Sequence, residues 1–232
     1  DLRSSTPYSH IMPYINIHTH LNPSGEGDLF IKNLFPSDEM EPLPPGGFYS
    51  VGLHPWFITN NHGHREQLDE LERRLALPEV VAVGECGLDK LANTESQFQL
   101  KVFLSQCQFA ESVNKPLVIH CVKSYNEIFH LKRRLKPTVP WILHGYTGNE
   151  MITNQLVPQG FYFSLGKMFL HDEEEALRVA EKIPAGQLFF ETDEWKKPVS
   201  EVYQRYARIK GIEEEALKEQ IMWNFREVFI RQ

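Results

Sequence analysis

Apolar runs of four to six residues recur along the chain, at residues 14–18, 48–53, 80–85, 117–120, 141–144, 161–165 and 188–192. Most are continuous rather than alternating, the pattern of strands buried on both faces of a parallel sheet. Between them the period becomes helical. Phe98, Val102, Gln106, Phe109 and Val113 step by 4, 4, 3 and 4. Tyr125, Ile128, Phe129 and Leu135 mark one face of a second helix; Ala176, Leu177, Ala180 and Ile183 mark another. Val199, Val202, Tyr203, Tyr206 and Ile209 mark a fourth, and residues 213–229 close the chain as a fifth. Strands alternating with helices predict right-handed βαβ units and a parallel sheet, either a closed barrel or an open doubly wound one. Residues 36–47, with Pro36, Pro42, Pro44, Pro45, Gly46 and Gly47, read as an exposed loop and not a boundary. A single domain over residues 1–232 is therefore expected.

Composition adds limits. The 232 residues are 41% hydrophobic and 24% charged, enough for a sizeable core. No run of 18 apolar residues exists, so no membrane span is expected. No charged segment followed by an apolar stretch opens the chain, so no secretory leader is expected, although residue 1 is Asp and not Met. Net charge is −7, from 24 Lys and Arg against 31 Asp and Glu, which lacks the footprint of a general nucleic-acid coat. Cys86, Cys107 and Cys121 are too few and too irregularly spaced for a disulfide framework. They read as small buried residues in a reducing, cytoplasmic setting. There is no glycine-rich phosphate loop of the Rossmann or Walker type.

The chemistry-bearing residues concentrate at the ends of the predicted strands. His18 ends the first and His20 follows it; residues two apart on an extended chain project to one side. Glu85, His120 and His144 end the third, fourth and fifth, and Asp193 lies just past the seventh. Barrel enzymes build active sites at these carboxyl ends. Clustered acids and imidazoles would be strongly destabilising without a cation. Four imidazoles and two carboxylates exceed one closed tetrahedral ion, and a hydrolytic site must keep an open position. Two divalent ions sharing a bridging carboxylate meet both requirements, with Zn, Mn or Mg among the candidates.

The stretches "INIHTHLNP", "VGLHPW", "VAVGECGLD", "KPLVIHC", "ILHGYTGN", "ETDE" and "WNFREVF" run in order over nearly the whole chain. In these the sequence resembles the TatD family of metal-dependent deoxyribonucleases. The resemblance implies an α/β, TIM-like (β/α) barrel of seven to eight parallel strands and hydrolysis of DNA phosphodiester bonds, typically from the 3′ end. It implies one ion on His18, His20, Glu85 and Asp193, and a second on Glu85, His120 and His144. Glu85 would bridge, and Asp193 would also orient or deprotonate the attacking water. A DNA strand end or short single strand is the expected partner, because a −7 chain should grip a duplex weakly. No protein partner is predicted.

Departures from the family pattern fall on substrate-binding positions. Val122 stands where a basic residue is common, leaving Lys123 as the nearest cation to meet a phosphate. Lys90, Leu91 and Ala92 follow "GLD", and Glu194 and Trp195 follow "ETD". His54 reads as a phosphate contact, a donor to a ligand, or a packed loop residue. Asp89 either orients a ligand or caps a turn. Trp56, Trp195 and Tyr146 either stack on bases or pack, and Ser164 either bonds within the site or is an ordinary strand serine. His10, His62, His64, His130 and His171 are expected to be exposed. Two other functions fit the residues: hydrolysis of an amide, ester or lactone on the same barrel, and a non-catalytic binding scaffold.

Overall fold

The structure is a computed structural model that describes residues 12–22, 27–58, 63–171 and 173–230. Its strands are β1 (Ile15–Thr19), β2 (Leu29–Leu34), β3 (Gly47–Val51), β4 (Val80–Asp89), β5 (Leu117–Val122), β6 (Trp141–Leu143), β7 (Tyr162–Leu165) and β8 (Leu188–Phe190). They form one sheet in sequence order with every pair parallel. The ring closes where Thr19 bridges Asp193 in parallel. The Asp193 amide donates to the His18 carbonyl at 3.0 Å, and the His20 amide donates to the Asp193 carbonyl at 3.1 Å. Buried Asn16 adds two bonds, donating to Thr192 Oγ1 at 2.8 Å and accepting from the Thr192 amide at 3.1 Å. The barrel is thus latched by the backbone of three expected metal ligands and by their neighbours Asn16 and Thr192. Of the two parallel-sheet architectures, the chain adopts the closed one.

The helices are α1 (Gly63–Leu75), α2 (Ser96–Val113), α3 (Tyr125–Leu135), α4 (Glu150–Leu156), α5 (Glu173–Lys182), α6 (Ser200–Lys210) and α7 (Glu214–Phe225), the last running into a π turn at Arg226–Ile230. They cover the outside of the strands, so strands buried on both faces carry the continuous apolar runs seen in the sequence. Trp141 sits fully buried between Phe103 and Phe161, with ring centroids at 5.7 and 6.2 Å. Cys86, Cys107 and Cys121 are free and buried. No helix among the described residues is long and apolar enough to cross a membrane.

Three elements escaped the hydrophobic pattern. β2 carries Lys32 and Asn33 inside its apolar run. Asn33 is buried there because its Oδ1 accepts from Ser50 Oγ and the Glu85 amide. α1 has a narrow stripe of Leu68, Leu71 and Leu75 among charged residues. α4 has only 7 residues, less than two turns. Several strand ends also move. β4 continues four residues beyond Glu85, to Asp89, and β5 runs two beyond His120. The β4–β5 register shifts between Val83 and Cys86, and Gly84 and Gly87 both take positive φ there. A Cβ on Gly87 would lie 2.0 Å from the His120 carbonyl oxygen, so only glycine lets the strands approach at this level.

Candidate metal centre

The barrel's carboxyl end draws His18, His20, Glu85, His120, His144 and Asp193 into one cluster, with Glu85 at its centre. Glu85 Oε2 faces His18 Nε2 at 3.5 Å and His20 Nε2 at 3.4 Å. Asp193 Oδ1 lies 3.7 Å from His18 Nε2 and 3.4 Å from His20 Nε2. The other carboxylate oxygen, Glu85 Oε1, faces His120 Nδ1 and His144 Nε2, each at 2.8 Å. Those two nitrogens are 3.4 Å apart. The two oxygens of one carboxylate therefore face different imidazoles, and Oε1 also meets His54 Nε2 at 3.1 Å.

The cluster fits cations. His18 is 0% exposed, and neither of its ring nitrogens has a hydrogen-bond partner. A buried polar group left so is costly unless something else satisfies it. Donor atoms about 2.1 Å from a shared ion lie roughly 3.0–3.4 Å from one another, close to the spacings within each group. The arrangement of His18, His20 and Glu85 could hold an ion on these grounds.

Partners outside the cluster orient two of the imidazoles. His120 Nε2 lies 2.9 Å from Asp89 Oδ2, a contact that orients the ring and, with an ion bound, would hold the N–H on that side and leave the Nδ1 lone pair to the ion. His144 Nδ1 lies 3.2 Å from Glu191 Oε1, a contact that would leave Nε2 to ligate an ion in the same way. Glu191 is anchored by the Gly145 amide at 2.8 Å. Sequence reading passed over Glu191, although its place two residues before Asp193 puts both acids at one strand end. His54 behaves differently. Its Nδ1 accepts from the Trp56 amide at 3.1 Å, so Nε2 carries the proton and donates to Glu85 Oε1 at 3.1 Å. Burial lowers its pKa, which keeps it a neutral donor beside the carboxylate.

Two buried glutamines of α2 position these supports. Gln106 takes both the amide (2.8 Å) and the carbonyl (3.1 Å) of Leu53, next to His54. Gln99 does the same for Asp89, at 2.8 and 2.9 Å. Asp89 fills both expected roles, because its Oδ1 also accepts from the Leu91 amide at 2.7 Å.

Charge is balanced inside the cluster. Burial pushes Glu85 toward neutrality, but the His144 charge and the close imidazoles of His120, His144 and His18 hold its carboxyl well below the usual range. Burial opposes charge on His144 as well, and Glu85 and Glu191 overcome it, raising that imidazole well above its ordinary value. Burial and His144 lower His18, yet Asp193 and Glu85 outweigh them and bring it to about 9. Asp193 is raised by burial and lowered more by His18, so it is ionised at neutral pH. Its side chain is 48% exposed, and its φ of 53° is held by the two closure bonds.

A cleft of about 740 Å³ opens beside Asp193, between His120 and His144 on one side and Gly166, Lys167 and Lys196 on another. Val122 lines it; Lys123, the next residue, is exposed with φ 52°. Lys167 and Lys196 are cations that sequence reading did not single out. Tyr146 is buried, with its hydroxyl 2.8 Å from Thr153 Oγ1, and so offers no stacking face. Ser164 is a buried strand residue whose Oγ has no hydrogen-bond partner. His130 and His171 are exposed, but His64 is 7% exposed because it lies in the first turn of α1 and not in a polar loop. His10 and His62 lie outside the described residues.

Comparison with known proteins bears on the fold and the family. A family model described as TatD related DNase matches residues 39–230. The uncharacterized metal-dependent hydrolase YjjV of Escherichia coli K12 is 30% identical over 184 residues, covering 77% of this chain and 68% of that protein. The 3′-5′ ssDNA/RNA exonuclease TatD of Erwinia billingiae is 29% identical over 208 residues, 80% of this chain and 78% of that one. The crystal structure of YjjV superposes with a TM-score of 0.79 at 18% identity, over 94% of this chain and 98% of that one. With the barrel, the carboxylate-centred histidine cluster and these likenesses in agreement, the chain belongs to the TatD family of metal-dependent hydrolases.

Proposed function

We propose that this hydrolase is a deoxyribonuclease that cleaves phosphodiester bonds at a DNA strand end with two divalent ions, Zn, Mn or Mg. The observation that carries the reading is the division of Glu85, one oxygen toward His18 and His20 and the other toward His120 and His144. Asp193 completes the first group and Glu85 bridges the two. Bound there, the ions would supply a Lewis acid for a phosphoryl oxygen and a water acidic enough to attack at neutral pH. The residues of the chain do the rest. Asp193, ionised and half exposed, accepts the proton of the attacking water. Asp89 and Glu191 keep the His120 and His144 lone pairs turned inward. His54 fixes the Glu85 carboxylate by donating to Oε1. Lys167 and Lys196 in the cleft, with Lys123 beyond it, are available to the phosphates of the strand. The exonuclease name carried by the Erwinia billingiae relative supports a nucleic-acid substrate.

The test is to strip the protein with chelator, restore single metals, and assay end-labelled single- and double-stranded DNA beside p-nitrophenyl esters. Metal-restored cleavage of DNA from an end is expected. Turnover of an ester with none of DNA would replace the nuclease by a hydrolase of another bond, and failure to bind any ion would leave a scaffold. Glu85→Ala should lose turnover and bound metal while keeping the wild-type circular dichroism spectrum; full activity in that variant rejects the bridge.

A further inference from the structure

The loop after β3 turns through a short 3-10 segment, Pro55–Phe57, and leaves two large rings in solvent beside the metal cluster. Trp56 is 60% exposed and Phe57 50%. Single exposed apolar side chains are ordinary, but these belong to a continuous set. Phe35 packs on Phe57 at 4.8 Å between ring centroids, and His54 lies 5.7 Å from Phe57 and 5.2 Å from Trp56. The arc ends on the expected metal ligands at both sides, with Phe35 6.3 Å from His20 and Trp56 6.1 Å from His120. It therefore spans both halves of the Glu85-centred cluster.

Trp56 is also fixed in place. Its indole N–H donates to Oδ2 of buried Asp89 at 2.6 Å. A largely exposed ring tied by its N–H edge has already lost the freedom that binding would otherwise remove. Position around the barrel adds direction. The arc follows β2 and β3, whereas Lys167 and Lys196 follow β7 and β8. In a ring of eight strands in sequence order, β3 and β7 stand across the mouth from each other. An apolar planar group on one wall and an anionic group on the other match the two parts of a nucleotide. Trp195 is less available, since it packs against the core and Lys197 lies 5.5 Å over its ring.

We propose that Trp56, flanked by Phe57 and Phe35, is a stacking subsite for the base of the nucleotide at the cleaved end. This rests on the nuclease reading above. The ring faces offer apolar contact to any base, so the subsite reads the presence of a base and not its sequence.

The test compares two single-stranded oligonucleotides, identical except that the nucleotide at the cleaved end carries a base in one and is an abasic tetrahydrofuran in the other. The readout is the ratio of their kcat/KM values on metal-restored enzyme. Base–aromatic stacking predicts a ratio of roughly 5 to 100 for the wild type. Trp56→Ala should bring it close to one, and Trp56→Phe, which keeps a ring but loses the Asp89 anchor, should lie between. Phe57→Ala, at the arc's other exposed ring, should lower the ratio by a smaller factor and serves if Trp56→Ala fails to fold. Cleavage of both strands with a wild-type ratio near one, or a ratio that survives Trp56→Ala and Phe57→Ala, overturns the subsite and leaves the nuclease standing. Wild-type protein that binds metal and cleaves neither strand overturns both.

Discussion

At the scale of single residues, His120 and His144 each have their second nitrogen committed outside the cluster. Asp89 holds His120 and Glu191 holds His144, at 2.9 and 3.2 Å. Removing such a support typically weakens metal binding 10- to 100-fold, because the ring can then rotate or change tautomer. Glu191→Ala is accordingly expected to lower the affinity of the ion shared by Glu85, His120 and His144 by about that factor. Metal titration followed by calorimetry measures it, and unchanged binding of both ions would show that Gly145 and the strand alone orient His144. The six expected ligands were legible as residue types at strand ends. Glu191 was not, because its significance is a contact with His144, 47 positions earlier in the chain. His54 was legible as a site residue but ambiguous in role. Its role follows from the Trp56 amide, which claims Nδ1 and leaves Nε2 as a donor.

At the scale of elements, α2 does more than cover the sheet. Gln106 occupies a position in the apolar stripe of the helix, where a side chain of its size would ordinarily be Leu. It is fully buried and spends both polar ends on the Leu53 backbone, while Gln99, seven residues earlier on the same face, does so for Asp89. Gln106→Leu keeps the volume and leaves two buried backbone groups unsatisfied, a cost of about 2–4 kcal/mol. Urea denaturation should record that loss, and a variant as stable as the wild type would mean that water replaces the glutamine. The β4–β5 pair makes the complementary point. Gly87→Ala would drive a Cβ to 2.0 Å from the His120 carbonyl, and backbone must move to relieve it. The expected result is lower thermal stability together with weaker metal binding, since the displaced strand carries His120. A soluble variant with wild-type metal affinity would show that the contact can relax without moving the ligand.

At the scale of the whole molecule, the closed barrel buries phenols that have no reason to ionise. Burial raises Tyr206 to about 12, and Tyr203 is raised as well. A phenol raised in the fold contributes its stability below the unfolded value near 10, and loses it as pH rises from there through the folded value. For Tyr206 this predicts a fall of up to about 1.4 kcal/mol per pH unit between about pH 10 and about 12. Tyr206→Phe should remove that share of the alkaline slope, measured by denaturation between pH 9 and 11. A variant with the same slope as the wild type would assign the alkaline loss to other groups.

Residues 14–18 and 188–192 are each readable in the sequence as largely apolar runs, because burial on both faces of a parallel sheet admits polar side chains only where they find partners. That they close a ring is not readable. Closure depends on Asn16 meeting Thr192 and on His18 and His20 meeting Asp193, contacts of about 175 positions' separation that no local period encodes. β2 escaped the pattern for a related reason, since Asn33 is tolerated only because the Glu85 amide and Ser50 reach it. The sequence by itself determined the strand–helix alternation and which side chains could ligate a metal, because periodicity and residue chemistry are local properties. Tertiary structure decided which oxygen of Glu85 faces which imidazoles and which nitrogens of His120 and His144 turn toward it, because each of these is a distance between residues far apart in the chain.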